Sequence, residues 1–528
     1  MIGVSVKLSH KDIVQEFFEL FKTAWEFARP ETHYDVMICS LSDLSEKENA
    51  DLVIVYSTEF PPDQTWANNA KIDCQTGRNL VFGRDRLPIY GSSLTFPGFS
   101  KDLVDEVTQA PAIFTIKEKE DQTVLWIGYD LWAEIEYLLL RGQPEQHAGI
   151  PTLEIHIELL RSILRNYNIA FPEVSPTPNG YKFIACLTHD VDHASIRAHK
   201  FDRTIIGFIY RATVQTVFQL LSGRKSIADC ARNWAAVIRL PFSQLGLLPD
   251  MWNRLEDYAD IEGGLPSTFF VVPRAGDPGR LRDGSPAPRM RAVRYAPSKI
   301  SEQIRNLLRG GSEVALHGID AWLAASDAKT ESAQLQKAIG DEAVPISGVR
   351  MHWLYSDEAS PKALDDAGFH YDSTSGYNRT IGYRSGTCQV YKPLGVQRLK
   401  ELPLHIMDTA LFFPEYMNCR PDEAKAKVRT FIENATRFGG VLTLNWHDRS
   451  IAPERLWHRV YADILAELKE SGAWFATASQ VVAWFERRRA FSFDSSSDRS
   501  NSADGLPGLA LHEDRPPQKT ELAEFSYC

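Results

Sequence analysis

The strongest constraint on this chain is a repeated pattern in its second half, where apolar strand-like runs end in polar clusters. Stretches with helical periodicity separate these runs, and such alternation is typical of a parallel sheet or barrel. In a parallel barrel the carboxyl ends of the strands converge on one face, so we expect the clusters to meet around one site. The runs are FIACLTHDVDH (183–193), STFFVVPR (267–274), EVALHGID (313–320), ISGVRMHW (346–353), HYDSTSGYN (370–378), ELPLHIMD (401–408) and VLTLNWHD (441–448).

Composition and charge exclude several classes of protein. With 528 residues, of which 44% are hydrophobic and 24% charged, the chain is a multi-domain globular protein rather than a disordered or fibrous one. A net charge of −11 disfavours a nucleic-acid binder, whose affinity comes from neutralising phosphates. Seven widely spaced cysteines without a CxxC pair favour reduced thiols. We therefore expect a cytoplasmic protein, with no secretory signal and no membrane-spanning helix.

The sequence divides into four segments. Residues 1–150 alternate helical and strand patterns, which predicts a small α/β domain without a recognisable catalytic motif. Residues 151–180 read as a linking helix followed by a proline-rich loop. Residues 181–488 carry the repeated strand pattern. Residues 489–528 begin with a polar, serine-rich run that cannot bury enough apolar area to order itself, so we expect a disordered tail.

An insertion at about 200–262 separates the first two strand runs of the second domain. It contains a helical stripe of apolar residues, and such a stripe usually packs against the core or covers the barrel mouth. The alternative is a peripheral membrane contact or a contact with a lipid-linked substrate, to which flanking basic residues would contribute. The stripe consists of Ile206, Ile209, Tyr210, Val214, Val217, Phe218 and Leu221.

The polar clusters contain the side chains that hold divalent metal ions. Asp190, Asp192, His317, His352 and His447 would be neighbours at the carboxyl ends of the strands. Carboxylate oxygen and imidazole nitrogen together suit Zn²⁺ or a similar ion. Metal-assisted hydrolysis follows, because a bound metal ion lowers the pKa of its water to about 7. Each residue alone is weak evidence, since an isolated histidine is more often a core residue, so the joint pattern carries the hypothesis.

These motifs resemble a known superfamily. Thr188–Asp192, Ser267–Phe270, His317, Arg350 and Leu444–Asp448 are similar to the ordered motifs of the polysaccharide deacetylases (NodB homology, carbohydrate esterase family 4). The likeness is greatest to the bacterial subgroup with the THDVD signature. It covers roughly residues 180–488 and implies a deformed (β/α) barrel, here preceded by the small α/β domain. It also implies a divalent metal and the removal of acetyl groups from sugars.

The resemblance assigns roles residue by residue. It implies that Asp190 is the general base that takes a proton from the attacking water. Asp192 and His317 correspond to metal ligands, and His447 corresponds to the general acid that protonates the leaving amine. Arg350 matches the arginine that holds the base ionised and oriented. Because the two acids are separated by one residue, base and ligand could be exchanged between Asp190 and Asp192.

The third metal ligand is not given by the common family pattern. That pattern has a second histidine four residues after the first, but this position is Ala321. Catalytic zinc usually has three protein ligands and one open position. His352, two residues after Arg350, is the favoured third ligand, and Asp320 is the next candidate.

Further residues lie beside the proposed catalytic clusters. Trp353 and Trp446 could stack on sugar rings, and Asp408 is a further substrate-binding candidate. Either Asp372 or Asp408 could be the carboxylate that pairs with Arg350. No other cofactor is expected.

The leading hypothesis is a metal-dependent deacetylase that removes an N-acetyl group, rather than an O-acetyl group, from a sugar or glycan precursor in polysaccharide or glycolipid biosynthesis. One alternative is a carbohydrate-binding relative with impaired activity, for which Ala321 is the best evidence. Another is a DxD-type glycosyltransferase, which would bind a nucleotide sugar at Asp190 and Asp192 but leaves His317 and His447 unexplained.

Overall fold

The computed structural model describes residues 1–40, 50–59, 73–98, 102–119, 122–200, 202–340, 346–493 and 507–514. Residues 1–150 fold around one six-stranded sheet, with two small antiparallel sheets beside it. The strands of this part are β1 (Ile2–Ser5), β2 (Trp25–Phe27), β3 (Tyr34–Cys39), β4 (Ala50–Tyr56), β5 (Asp73–Thr76), β6 (Asn79–Phe82), β7 (Asp85–Pro88), β8 (Ser92–Thr95), β9 (Val104–Asp105), β10 (Ile113–Lys119) and β11 (Gln122–Ile127).

The six-stranded sheet has the order β10-β11-β4-β3-β1-β2 and is parallel except for the β10–β11 hairpin. Three helices accompany it: α1 (Lys11–Phe21), α2 (Leu131–Leu140) and α3 (Thr152–Asn166). Asp130 caps α2, because its side chain accepts hydrogen bonds from the backbone N–H groups of Trp132 and Ala133. The hairpin and the two layers fit the predicted small α/β unit.

A second, larger sheet forms the rest of the protein. The strands after residue 170 are β12 (Phe171–Pro178), β13 (Phe183–Val191), β14 (Ser267–Val271), β15 (Glu313–Gly318), β16 (Gly348–Met351), β17 (Tyr371–Asp372), β18 (Lys400–Glu401), β19 (Ile406–Met407), β20 (Val441–Asn445), β21 (Ala473–Phe475) and β22 (Leu509–Asp514). The large sheet runs β18-β17-β16-β15-β14-β13-β20-β19, with β21 paired to β13, and every pair in it is parallel.

This sheet is curled rather than flat. In sheet order β16 and β13 are three positions apart, which in a flat sheet is about 14 Å. Nevertheless Arg350 on β16 donates hydrogen bonds to Thr188 and Asp190 on β13, at 2.8 and 3.0 Å. No pairing joins β18 to β19 among the described residues, so the curl does not close. The predicted deformed (β/α) barrel, preceded by a small α/β unit, is confirmed.

Helices connect the barrel strands. They are α4 (Arg203–Tyr210), which continues through one π turn (Arg211–Gln215) into α5 (Thr216–Leu221), then α6 (Ile227–Gln244), α7 (Asp257–Glu262), α8 (Ser301–Arg309), α9 (Ala325–Ile339), α10 (Ser360–Ala367), α11 (Asp408–Phe412), α12 (Pro421–Phe438), α13 (His458–Glu470) and α14 (Ala478–Ala490). The main apolar core lies between these helices and the curled sheet.

Buried polar contacts join the amino-terminal part to the barrel. Arg488 on α14 donates to the backbone carbonyls of Glu19 and Leu20, at 2.9 and 3.0 Å. Glu154 on α3 accepts hydrogen bonds from Thr387 and Gln389 in the barrel, at 2.6 and 3.1 Å. Because α3 packs in the amino-terminal core and also bonds to the barrel, the boundary near residue 150 stays a prediction.

Two expectations about loops differ from the structure. The predicted proline-rich loop is largely strand β12, which pairs antiparallel with β22 near the carboxyl terminus. Proline is tolerated in such an isolated two-stranded pair, and the pairing register shifts between Val174 and Pro178. The predicted disordered tail is therefore wrong for residues 507–514, which form this strand. Residues 494–506 and 515–528 lie outside the described part of the chain.

The apolar stripe of the insertion does not pack against the core or cover the barrel mouth, as was first expected. Its seven residues are all exposed, whereas the opposite side of the same helix packs on the protein with Ile205, Phe208 and Ala212. The stripe is therefore neither core nor a packed cover. Among the described residues the helix Arg203–Leu221 is also long and apolar enough to cross a membrane, by length and composition alone.

Candidate active site

Three side chains converge at the carboxyl end of the barrel strands. Asp192 follows β13, His317 lies in β15 and His352 follows β16. Asp192 Oδ1 is 3.3 Å from His317 Nε2 and 3.3 Å from His352 Nδ1. The two imidazole nitrogens are 3.1 Å apart. The structure thus brings Asp192, His317 and His352 together as one cluster, which we call the triad.

Backbone carbonyls set which nitrogen of each triad histidine carries the proton. His317 Nδ1 lies 3.0 Å from the carbonyl oxygen of Arg350, and His352 Nε2 lies 3.0 Å from that of Arg291. Each of these nitrogens therefore donates, and the other nitrogen of each ring turns a lone pair into the triad. Burial lowers the pKa of His352, although Asp192 opposes this shift, and the neutral ring is the form that binds metal.

The triad fits a divalent metal ion. Asp192 Oδ1 is buried and accepts no hydrogen bond within the described part of the chain. Two donors bound to one tetrahedral zinc ion at about 2.0–2.1 Å are about 3.3 Å apart, and the three distances in the triad are close to this value. Three ligands also leave one position open, as catalytic zinc sites do.

Asp320, the other candidate for third ligand, is held elsewhere. Its carboxylate pairs with Arg274 at 2.8 Å and accepts the backbone N–H of Arg280 at 2.8 Å. His352, and not Asp320, therefore lies in the triad, at the position of a third metal ligand.

Asp190 lies beside the triad in a fixed orientation. Its Oδ1 accepts a hydrogen bond from Arg350 at 3.0 Å, and its Oδ2 accepts one from Asn445 at 2.7 Å and lies 3.8 Å from His317 Nε2. Burial acts to raise the pKa of Asp190, but the positive charges of Arg350 and His447, and of His317 when it is protonated, outweigh it and lower the pKa. Asp190 is therefore ionised at neutral pH.

Arg350 is fully buried and donates four hydrogen bonds. It donates to the backbone carbonyl and hydroxyl of Ser373, at 3.0 and 2.8 Å, besides its bonds to Thr188 and Asp190. The carboxylate that it pairs with, in the described part of the chain, is Asp190. The expectation that Asp372 or Asp408 pairs with Arg350 is thus not met, because Asp190 fills that place.

His447 lies beside the triad and is held by the carboxylate of Asp408. Its Nδ1 donates to Asp408 Oδ1 at 2.6 Å, and its backbone N–H donates to Asp408 Oδ2 at 2.8 Å. This leaves Nε2 on the side of the triad, 3.9 Å from Asp192 Oδ2. Burial acts to lower the pKa of His447, but Asp408, Asp192 and Asp190 raise it to about 9.

Two of the predicted substrate-binding residues are placed where a sugar cannot reach them. Asp408 is fully buried and its oxygens accept from His447 and from the hydroxyl of Ser450, so it positions the imidazole instead. Trp446 is fully buried and stacks on Tyr461, with ring centroids 5.0 Å apart. Both predictions are corrected on this account, because neither side chain offers a free surface.

Trp353 differs from Trp446 because it is partly exposed next to the triad. Its ring centroid is 6.0 Å from that of His352. Trp353 and Leu354 have φ angles of 62° and 54°, a left-handed conformation that costs free energy for residues with a side chain. Such strain is concentrated at functional sites, and here it lies directly after the triad residue His352.

Sequence reasoning missed Asn445 and Ser373. Asn445 ends β20 two residues before His447 and binds both the carboxylate and the backbone N–H of Asp190. Its signal was its place in a polar strand-end cluster. Ser373 follows β17, the strand that pairs with β16, and it lies in the polar run 370–378, but nothing singled it out there because serine is common at strand ends.

No family model and no curated protein matches the sequence. Among solved structures, a Mycobacterium smegmatis protein assigned as a polysaccharide deacetylase is 18% identical, with a TM-score of 0.36, and the match covers 60% of this chain and 96% of that one. The allantoinase PuuE is 12% identical, with a TM-score of 0.38, and the match covers 60% and 95% of the two chains.

A family 4 carbohydrate esterase from Streptomyces lividans, solved with acetate, is 12% identical with a TM-score of 0.26, and the match covers 57% of this chain and 93% of that one. Likenesses at this level carry no argument about activity, which has to rest on the geometry of the site. The solved structures to which this chain is similar nevertheless include members of the superfamily that its motifs resemble.

Proposed function

We propose that this protein is a metal-dependent hydrolase that removes an N-acetyl group from an amino sugar. The observation that carries the proposal is the arrangement around the triad. The ionised carboxylate of Asp190, held by Arg350, lies 3.8 Å from His317. The protonated imidazole of His447, held by Asp408, lies 3.9 Å from Asp192. A base and an acid beside one metal site are what amide hydrolysis requires.

In this mechanism Asp192, His317 and His352 would hold a divalent ion, and zinc fits their donor set best. Bound there, the ion supplies an acidified water and a Lewis acid for the acetyl oxygen. Asp190 accepts a proton from the attacking water as the new C–O bond forms. Arg350 and Asn445 keep its carboxylate ionised and prevent it from rotating away.

His447 donates the proton that the leaving nitrogen needs. As the C–N bond breaks, Nε2 of the imidazolium donates to the departing nitrogen, and acetate and a free amine are released. An amine leaves poorly unless it is protonated, whereas an alcohol needs less help. A pKa of about 9 keeps His447 protonated at neutral pH, and this favours an amide over an ester substrate.

The sugar assignment rests on Trp353, whose partly exposed indole stands next to the triad and offers a flat apolar face for a pyranose ring. A cytoplasmic location and a role in glycan biosynthesis are part of the proposal. The widely spaced cysteines, which suit a reducing compartment, support the location.

The test combines metal analysis with acetate release. The purified full chain is assayed against N-acetylglucosamine oligosaccharides, nucleotide-linked N-acetylglucosamine and O-acetylated sugars, before and after chelation. We expect acetate from an N-acetylated sugar, loss after chelation, and recovery with zinc. Sugar binding without acetate release would favour the impaired carbohydrate-binding relative. Turnover of a nucleotide sugar without acetate would favour a glycosyltransferase.

A further inference from the structure

The helical insertion carries an unusual concentration of exposed apolar side chains. Of the 20 large hydrophobic residues that are exposed in the described part of the chain, 13 lie between residues 206 and 247. Monomeric soluble proteins rarely expose large contiguous apolar patches, and those that do usually bind something there. We call this set the insertion face. It comprises Ile206, Ile209, Tyr210, Val214, Val217, Phe218, Leu221, Ile227, Trp234, Ile238, Phe242, Leu245 and Leu247.

Two helical segments and the turn after the second, which carries Leu245 and Leu247, build the insertion face. The first runs from α4 to α5 and the second is α6, which contacts the first where the thiol of Cys230 donates to the carbonyl of Thr216 at 3.8 Å. Each segment has a buried side as well, formed by Ile205 and Phe208 in the first and by Ala236 and Leu240 in the second. Each segment therefore has two apolar sides, one that packs on the protein and one that is exposed.

The charged residues of the insertion are mostly basic. Residues 203–247 contain six basic residues and one acidic residue, in a chain whose net charge is −11. Arg203, Arg232 and Arg239 are exposed. The acidic residue, Asp229, is buried and pairs with Arg459 at 2.8 Å and with Arg232 at 3.6 Å. A cationic rim around an apolar face is complementary to an anionic membrane surface.

The aromatic residues of the face point to the same partner. Tyr210 and Trp234 are half-exposed, and these two residue types are enriched where protein meets the headgroup layer of a bilayer. A second copy of this chain is a poorer partner for a symmetric contact. In a two-fold interface the face meets itself, so the exposed arginines would repel one another.

One side of the helix Arg203–Leu221 packs on the protein. Although Arg203–Leu221 has the length of a spanning helix, Phe208 packs on Trp252, with ring centroids 6.1 Å apart. Trp252 in turn contacts His193 and Arg449, which belong to the segments that follow Asp192 and His447. A membrane on the outer side of this helix would therefore lie about one helix diameter, ~10 Å, from loops that adjoin the site.

We propose that the insertion face is a membrane-binding surface that inserts its apolar side chains at the headgroup boundary of an anionic bilayer. Binding does not depend on the proposed deacetylase activity, since it uses none of the residues of the site.

The test is flotation of the purified full chain with phosphatidylcholine vesicles and with vesicles that contain about one quarter phosphatidylglycerol. We expect flotation with the anionic vesicles, and weaker flotation at high salt. The double variant Phe218→Asp, Leu221→Asp should reduce the floated fraction at least about 10-fold, because it places charge where apolar groups insert. Arg203→Gln combined with Arg239→Gln should remove most of the preference for anionic lipid.

Val107→Asp is the matched control, because Val107 is 87% exposed and lies outside the insertion, so its flotation should equal that of the wild type. Circular dichroism and metal content verify that each variant is folded. Wild-type protein that stays at the bottom of the gradient with both vesicle types overturns the proposal. A dimer that the Phe218→Asp, Leu221→Asp variant dissociates, without any flotation, overturns it in favour of a self-association surface.

Discussion

His317 and His352 face each other with Nε2 and Nδ1 only 3.1 Å apart, although each ring already donates its other N–H to a backbone carbonyl. Two neutral rings held in this way cannot hydrogen-bond to each other, because both nitrogens in the contact carry lone pairs. The contact is favourable when a cation lies between the rings and Asp192. The arrangement of the triad therefore favours binding of a cation.

This relationship predicts that zinc stabilises the folded protein. Zinc at about 100 times its dissociation constant should add about 2.7 kcal/mol to the free energy of unfolding, measured by denaturant titration. His352→Ala should abolish this gain and lower the zinc content. His405→Gln is the matched control, since His405 is a buried histidine bonded to Thr387 outside the triad. An equal zinc effect in His352→Ala and wild type would show that His352 is not a ligand.

Substitution of Asp190 and of Asp192 should have different effects on activity and zinc content. Asp190→Asn should retain zinc and lower kcat by about 10²–10⁴, the range for loss of a general base. Asp192→Asn should lose zinc as well as activity, because Asp192 Oδ1 is the oxygen within the triad. Metal analysis and steady-state kinetics on both variants distinguish the roles. Loss of zinc in Asp190→Asn with zinc retained in Asp192→Asn would mean that base and ligand are exchanged.

The sequence predicted which side chains lie together at the site, because the direction of the strands largely determines where their polar ends lie. Once the runs ending at Asp192, His317, Arg350 and His447 are parallel neighbours, their polar ends must lie at one edge of the sheet. The partners within that pocket were less accessible. Asp408 was recognised as part of a strand-end cluster, but only the position of β19 beside β20 shows that it holds His447.

The insertion shows where sequence periodicity stops being informative. An apolar stripe at helical spacing says that one side of a helix avoids water, but not whether protein or lipid covers that side. Here Ile205 and Phe208 form the packed side and the stripe residues form the exposed one. The strand β22 was missed for a related reason. Its pairing with β12 is a contact between residues more than 300 positions apart, which local composition does not encode.

Truncation of Trp353 should change substrate binding, whereas truncation of Trp446 should change stability. Trp353→Ala should raise KM about 10-fold for the sugar substrate, with a smaller effect on kcat and little change in stability. Trp446→Ala should instead lower the free energy of unfolding by about 3–5 kcal/mol, because it leaves a cavity beside Tyr461. Denaturant unfolding and Michaelis kinetics on the same two variants test this. A KM unchanged in Trp353→Ala would remove the indole from the substrate site.

Asp408 should set the alkaline limit of activity through His447. As a general acid, His447 works only while protonated, so kcat/KM should fall as pH rises through its pKa of about 9. Asp408→Asn removes the charge that most strongly raises this pKa. The alkaline limb of the pH profile should therefore move to lower pH, while zinc content stays unchanged. His447→Ala should remove the limb together with most of kcat. An alkaline limb at the same pH in Asp408→Asn and wild type would show that another group sets it and would withdraw the acid role from His447.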